Sequence, residues 1–169
     1  MNPQWFGDSF DIVKRFFAEV LRELDYEIFV DPMSTGDWSE LETRFLTFLG
    51  VQHIRDVKDT QRSALLLDPD TGIGKRETKK HTSIQRIITE LGNHNIVFAF
   101  DQSFSRGRPS LPQMREKLEH VQSLGAFAFF YDSHARFLFA SRSRQDLDSV
   151  VGQLIAVGLP STRIVRLEE

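Results

Sequence analysis

Four short apolar runs in this chain each end at an aspartate, and carboxylates in such places can do acid–base or metal chemistry. The runs cover 26–30, 64–67, 96–100 and 127–131, and the acids that follow them are Asp31, Asp68, Asp101 and Asp132. Uninterrupted Ile, Val, Leu and Phe are typical of strands that a parallel sheet buries on both faces. Because ligands of open α/β sheets bind outside the carboxyl ends of the strands, we expect the acids to share one crevice. Alternatively, each aspartate only starts a turn or caps a helix.

Carboxylates that lie close together repel one another, so some of them must take up a proton, bind a cation or pair with a basic side chain. Asp70, two residues after Asp68, belongs to the same group. Binding of Mg²⁺ would fit a phosphodiester enzyme. Pairing with Lys or Arg would instead leave one acid as a general base. The basic partners considered are Lys14, Arg15, Arg106 and His134.

The N-terminal segment places acids and bases on one helical face. Asp11 precedes Lys14 and Arg15 by three and four residues, a spacing typical of helical ion pairs. The simplest interpretation is a solvated pair that contributes little to stability. In the functional interpretation, Asp8 activates a water at the start of the helix, while Lys14 or Arg15 holds a phosphate.

Three further segments carry groups that could contact a nucleic acid. Asp68-Pro-Asp-Thr-Gly72 is either a turn or a loop that presents backbone amides to a phosphate or a base. Residues 75–80 carry four basic side chains and one acid. This segment is either a solvated loop or a basic rim around the acidic crevice. His134 is either a proton donor or a surface residue. The loop after the third apolar run offers amide, hydroxyl, aromatic and guanidinium groups for base and phosphate contacts: Gln102, Ser103, Phe104 and Arg106.

The composition limits the classes of protein to which the chain can belong. With 169 residues, a net charge of −3 and 40% hydrophobic residues, the chain is expected to be one globular domain, 1–169. The absence of cysteine excludes disulfides and thiolate chemistry. No P-loop, GxGxxG, GxSxG or HExxH motif occurs, which disfavours a P-loop ATPase, a dinucleotide enzyme, an enzyme with the α/β-hydrolase fold and a zinc site. Asp8 and Asp11 lie where a signal peptide would need an uncharged apolar stretch, and no apolar run is long enough to span a membrane. A cytoplasmic location is therefore expected.

The pattern of elements predicts the fold class. Helical periodicity covers 8–24, 38–49, 83–91, 113–124 and 145–157, and the apolar runs alternate with it. Residues 51–62 look like a polar connector, 137–140 pairs with 127–131 as a hairpin, and 163–167 is expected as an edge strand. This order predicts an α/β fold, a three-layer α/β/α sandwich with a mostly parallel central sheet and a C-terminal β-hairpin.

Three motifs together resemble a family of uncharacterised bacterial proteins over most of the chain: Trp5-Phe-Gly-Asp-Ser-Phe-Asp-Ile-Val-Lys14, Asp68-Pro-Asp-Thr-Gly72 and Phe100-Asp-Gln-Ser-Phe-Ser-Arg106. The second motif also looks like the Asp-Pro-Pro-x loop of amino-methyltransferases, although no glycine-rich cofactor loop follows the first strand. The architecture resembles uracil-DNA-glycosylase-like enzymes, with Asp31-Pro-Met33 and Ser133-His134 in comparable places. That resemblance implies a cofactor-free enzyme that flips a base into a pocket and excises it, a chemistry suited to phage defence.

The leading hypothesis is therefore a cofactor-free hydrolase acting on nucleic acid, a DNA glycosylase that excises a base. The alternatives are a Mg²⁺-dependent nuclease, a methyltransferase-like protein and a non-catalytic module that binds a nucleotide or nucleic acid. The oligomeric state is left open. The expected catalytic residues are Asp8, Asp31, Asp68 and His134. The expected substrate-binding residues are Lys14, Arg15, Asp70, Asp101, Gln102, Ser103, Phe104 and Arg106.

Overall fold

The apolar runs form the centre of one seven-stranded sheet in the computed structural model, which describes residues 2–57 and 62–167. The strands of the chain are β1 Glu27–Asp31, β2 Gln52–His53, β3 Ser63–Leu67, β4 Gly72–Gly74, β5 His81–Ser83, β6 Ile96–Phe100, β7 Phe127–Tyr131, β8 Phe137–Ser141 and β9 Ile164–Val165. The order across the sheet is β2-β1-β3-β6-β8-β7-β9, and β4 pairs with β5 in a separate two-stranded sheet.

Strand direction places the four predicted acids at one edge. β2, β1, β3 and β6 are parallel, whereas β8 runs antiparallel to both β6 and β7. β7 therefore points in the same direction as β6, and β1, β3, β6 and β7 all end at the same edge of the sheet. The expected mostly parallel sheet with a C-terminal hairpin is confirmed, with β8 inserted between β6 and β7.

Helices cover both faces of the sheet, which confirms the three-layer sandwich. They are α1 Ser9–Arg22, α2 Glu42–Leu49, α3 Ile84–Glu90, α4 Ser110–Ser123 and α5 Arg144–Ala156. One apolar cluster joins the sheet to α1, α2 and α5, and a second joins its other face to α3 and α4. No helix in the described ranges is long and apolar enough to cross a membrane.

Phenylalanines set the register in the antiparallel half of the sheet. Phe98, Phe139 and Phe129 lie side by side on β6, β8 and β7. Their rings stack nearly parallel, with centroids 5.5 Å apart for Phe98 and Phe139 and 4.8 Å apart for Phe129 and Phe139. Phe17 of α1 packs edge-on against Phe139 at 5.2 Å. Aromatic cross-strand pairs stabilise one register over its neighbours, so this stack holds the hairpin against β6.

Several predicted boundaries differ from the structure. The second helix begins at Glu42 rather than at Trp38, because Trp38 is buried against the Phe45 ring, 5.3 Å away, in the turn that leads into the helix. The connector 51–62 contains β2 and a short 3-10 helix, Ile54–Asp56, while 58–61 lie outside the described residues. β2 is polar because it pairs with β1 at the edge of the sheet, where Gln52 is exposed.

The β4–β5 pair is fastened to the main sheet through the carboxylate of Asp101. Asp101 Oδ1 accepts a hydrogen bond of 3.0 Å from the backbone N–H of Ile73. Gly72 makes this approach possible, because its φ is +118° and a Cβ there would lie 2.4 Å from Asp101 Oδ1. Only glycine fits a position with both constraints.

We expect Gly72→Ala to lower the free energy of unfolding by about 3 kcal/mol, since it combines a strained φ with a steric clash. Gly107→Ala is the matched control, because no atom lies within 4 Å of its Cβ position. Urea denaturation of both variants measures the difference, and equal midpoints would contradict the role given to Gly72.

Candidate active site

Two acids fix the start of α1. Asp8 is its N-cap, and Asp8 Oδ1 accepts hydrogen bonds from the backbone N–H groups of Phe10 and Asp11 at 2.8 and 3.1 Å. Asp11 Oδ2 accepts a 2.8 Å bond from the N–H of Gly7, which has a φ of +85°. Carboxylates are favoured at this end of a helix because they satisfy its free N–H groups and its positive dipole. These bonds leave the other oxygen of Asp11 directed at the next turn of α1.

Lys14 joins that turn to the end of β3. Its Nζ donates to Asp11 Oδ1 and to Asp68 Oδ2, both at 2.8 Å. The side chains of Lys14, Asp11 and Asp68 are 4%, 0% and 1% exposed. Two carboxylates thus share one ammonium in a buried site, where charges are stable only if they are paired and hydrogen-bonded.

Burial and charge shift the pKa values in this cluster. Burial by itself lowers the pKa of Lys14, but the carboxylates of Asp68 and Asp11 outweigh it and hold that pKa above its ordinary 10.5. Burial raises the pKa of Asp68 above its ordinary 3.8, and Lys14 opposes this only in part while Asp11 adds to it. Lys14 therefore stays an ammonium at neutral pH, and Asp68 is a more basic carboxylate than an exposed aspartate.

The cluster forms the floor of a cleft of about 360 Å³. That volume lies within the range of about 300–1,000 Å³ that is common for small-molecule sites. The residues that line it are Asn2, Trp5, Asp8, Phe10, Asp11, Lys14, Asp68, Pro69, Asp70, Phe100 and Gln102.

The walls of the cleft are aromatic. Phe10 packs edge-on against Phe100, with ring centroids 5.1 Å apart, and His134 stacks on Phe10 at 4.8 Å. Trp5 lies in the short 3-10 helix Pro3–Trp5 and is 57% exposed. Gln102 Nε2 donates to the backbone carbonyl of His134, which ties the β6 loop to the hairpin turn. A planar ligand could therefore stack within this cleft with carboxylates on one side.

Five of the expected site residues line this cleft, and His134 lies beside it through Phe10. The five are Asp8, Lys14, Asp68, Asp70 and Gln102. The other expected residues lie elsewhere. Arg15 points away from the cleft, pairs with Glu19 at 2.8 Å and lies over the ring of Phe48. Arg106 is exposed in the loop before α4.

Asp31 lies at the same sheet edge but outside the cleft. Its Oδ2 is 2.7 Å from a guanidinium nitrogen of Arg86, and its Oδ1 accepts a 3.0 Å bond from the N–H of Met33. Arg86 also pairs with Glu77 at 2.6 Å and Glu90 at 3.4 Å. Asp31 therefore lines a separate depression together with residues 33–36 and 77–80.

Three of the residues expected to bind substrate, Asp101, Ser103 and Phe104, instead form an internal brace. Asp101 is fully buried and pairs with Lys117, whose Nζ also donates to Ser103 Oγ at 2.9 Å. The ring of Phe104 lies 4.5 Å from Lys117 Nζ and 4.9 Å from the Arg136 guanidinium. Asp101, Ser103 and Phe104 thus connect β6 to α4 rather than lining the cleft.

The basic segment 75–80 is exposed, residues 77–80 line the depression at Asp31, and the segment connects to the cleft through Thr71. The backbone N–H and the hydroxyl of Thr71 both bond to the carbonyl of Lys80, at 3.0 and 2.7 Å. Thr71 directly follows Asp70, so these bonds attach the basic segment to the loop that forms one side of the cleft.

Sequence reasoning did not identify the aromatic wall. Phe10 lies on the apolar face of the first helix and Phe100 in an apolar run, which predicts core packing, and both do pack in the core. Their additional place at the cleft wall has no separate signal in the sequence, and Trp5 precedes the first helix. The one available signal for Trp5 was its place in the motif that ends at Lys14. Among the described residues, no group of three or more His, Asp or Glu side chains could hold a metal ion.

Comparison with known proteins does not supply a function. No protein-family model, curated protein or solved structure matches the chain. The function is therefore argued from the geometry of the cleft alone.

We expect Lys14→Met to lower the free energy of unfolding by about 3–5 kcal/mol, because it leaves two buried carboxylates without their shared cation. Arg15→Met is the control on the same helix, where both side chains of the ion pair are about half exposed. Lys14→Met combined with Asp68→Asn should recover part of the loss, since only one buried charge then remains. Urea denaturation measures the free energy of unfolding of all three variants. A value for Lys14→Met within about 1 kcal/mol of the wild-type value would contradict the role of Lys14 as the shared cation.

The raised pKa of Asp68 makes stability depend on pH. Because this pKa lies above 3.8 in the folded state, proton binding favours folding; that contribution is fully present below pH 3.8 and is lost as the pH rises through the folded pKa. Asp68→Asn cannot titrate, so its free energy of unfolding relative to wild type should increase between pH 3.8 and neutrality. Urea denaturation across this interval checks the trend, and a constant or falling difference would contradict it.

Proposed function

We propose that the cleft is the active site of a cofactor-free hydrolase that cleaves the N-glycosidic bond of a base in nucleic acid, specifically DNA. The observation that carries this proposal is the buried Asp11–Lys14–Asp68 cluster at the floor of an aromatic cleft. The cluster supplies a fixed, basic carboxylate, and the walls supply surfaces on which a base can stack.

The sign of the charge favours glycosidic over phosphodiester chemistry. Four carboxylates and one ammonium are among the lining residues. Hydrolysis of a glycosidic bond develops positive charge on the sugar, which nearby carboxylates stabilise. Phosphodiester hydrolysis gathers negative charge on phosphate oxygens and calls for cations, which carboxylates supply only by holding a metal ion, and no group of three or more acids or histidines among the described residues is arranged to hold one. An acidic cleft therefore fits the first reaction better than the second.

Five of the lining residues have a role in this reaction. Asp68 accepts a proton from the attacking water, because its raised pKa makes it a better general base. Lys14 is a positioning residue that holds the carboxylate of Asp68. Asp8 and Asp70 stabilise the charge on the sugar, while Trp5 stacks on the base.

The size of the cleft and the nearby basic segment favour a polymeric substrate. A volume of about 360 Å³ holds one base with its sugar but not a duplex, so the base must be flipped out of its helix. The exposed cations of 75–80, attached to the Asp70 loop through Thr71, supply contacts for the phosphate backbone. A small cytoplasmic enzyme of this kind would suit defence against phage DNA that carries modified bases.

The test uses duplex oligonucleotides that contain uracil, hypoxanthine, N-methylated purines or only ordinary bases, incubated with EDTA or with Mg²⁺. We expect abasic sites, detected by alkaline cleavage, to form in EDTA on at least one substrate. Asp68→Asn should reduce the rate by about 100-fold or more, because it removes the general base. Asp132→Asn is the matched control, a strand-end acid that pairs with Arg136 outside the cleft.

Other outcomes overturn the proposal in favour of a named alternative. Direct strand breaks that require Mg²⁺ would indicate a nuclease. A rise in melting temperature with S-adenosylmethionine would indicate a methyltransferase-like protein. No product on any substrate would indicate a non-catalytic binding module.

A further inference from the structure

We infer that the cleft selects a nucleobase that carries a positive charge, such as a base alkylated on a ring nitrogen. This inference rests on the proposed function, because it names the substrate class of the same site. It follows from the charge of the lining residues and from the chemistry of the walls.

The described lining residues carry an excess of negative charge. Asp8, Asp11, Asp68 and Asp70 face one cation, Lys14. The N-terminal ammonium also acts on Asp68, and when it is counted and Asp68 is protonated, the carboxylates still exceed the cations by one. Lys14 is already committed to two of the acids, at 2.8 Å each, so it cannot also neutralise Asp8 and Asp70. A ligand that brings positive charge is therefore attracted to the mouth of the cleft.

The aromatic walls favour the same kind of ligand. A cation gains energy over the face of an aromatic ring, most strongly over Trp. The Trp5 side chain is 57% exposed at the cleft, and Lys14 Nζ itself lies 5.6 Å from the ring centroid of Phe100. A neutral base would gain only stacking, whereas a cationic base would gain stacking, cation–π attraction and attraction to the carboxylates.

A cationic base also suits the proposed reaction. When the bond from the base nitrogen to C1′ breaks, its electron pair returns to the base, which leaves as a neutral molecule. Water adds to C1′ and gives up one proton, which passes to Asp68 and then to solvent. The leaving base needs no proton, so a single general base is sufficient for the whole step.

Two isomeric nucleosides separate charge from size. 1-Methyladenosine is a cation at neutral pH, and N6-methyladenosine has the same atoms apart from the extra proton of that cation and is neutral. In calorimetric titrations of the wild-type protein we expect 1-methyladenosine to bind at least about tenfold more tightly. Asp70→Asn should reduce this preference about threefold, because it removes one carboxylate at the mouth. Asp148→Asn, an exposed acid that pairs with Arg166 on another part of the surface, should leave it unchanged.

Equal affinity for the two isomers, a preference for the neutral one, or no binding of either would overturn the inference. The result is separable from that of the oligonucleotide assay. Release of neutral bases from DNA, together with equal affinities for the two nucleosides, would support the proposed function and contradict the preference for a cationic base. Preference for 1-methyladenosine without base release from any oligonucleotide would support the cation-binding site and contradict the proposed hydrolase activity.

Discussion

One ammonium group shared by two buried carboxylates determines how the first helix meets the sheet. Asp11 belongs to the first turn of α1, Asp68 follows the interior strand β3, and Lys14 bonds to both. The same Asp11 carboxylate holds the N–H of Gly7, so the segment that carries Trp5 is positioned through this cluster as well. The floor and one wall of the cleft therefore depend on a single arrangement of charges.

The other strand-end acids show why the chemistry is concentrated above β3. Asp31, Asp101 and Asp132 each pair with a cation, respectively Arg86, Lys117 and Arg136. Asp101 and Asp132 each pair with one cation, and Arg86 joins Asp31 to Glu77 and Glu90, so these side chains act as braces between the sheet edge and its surroundings. Among the four strand-end acids, Asp68 is the one that lines the cleft with aromatic walls, and the cation that it shares with Asp11 is nearly fully buried, whereas the Arg86 side chain at Asp31 is 23% exposed. A basic carboxylate next to an aromatic surface is the combination on which the proposed reaction depends.

The sandwich could be predicted because its signals are local. Apolar runs that end in aspartate mark β1, β3, β6 and β7, and helical periodicity marks the helices between them. The order of the strands could not, because hairpin spacing pairs β7 with β8 but does not say which of them lies next to β6. β2, β4 and β5 consist largely of polar residues and glycine, so their pairing is decided by tertiary hydrogen bonds rather than by composition.

The candidate site, like the fold, could be predicted from the sequence only in part. Acids and amides such as Asp8, Asp68, Asp70 and Gln102 were identifiable because their residue types and strand-end positions indicate chemistry. The wall residues Phe10 and Phe100 were not, since an aromatic side chain in an amphipathic pattern has the same sequence signature whether it faces the core or a cleft. The strand-end position of Asp101 predicts a place in the cleft, but the residue is buried and pairs with Lys117. Lys117 is sixteen residues away, so the local sequence gives no sign of this pair.

The central claim is that Lys14 is shared by Asp11 and Asp68 in a buried, charged cluster, and carbon-13 NMR titration of these side chains tests it most directly. The account predicts that the Lys14 Cε resonance keeps its ammonium shift beyond pH 10.5 and that the Asp68 carboxyl titrates above 3.8. A Lys14 amine that loses its proton below pH 10.5 would contradict it, whereas an Asp68 carboxyl that titrates at or below 3.8 would leave the pairing intact and contradict the raised basicity of Asp68.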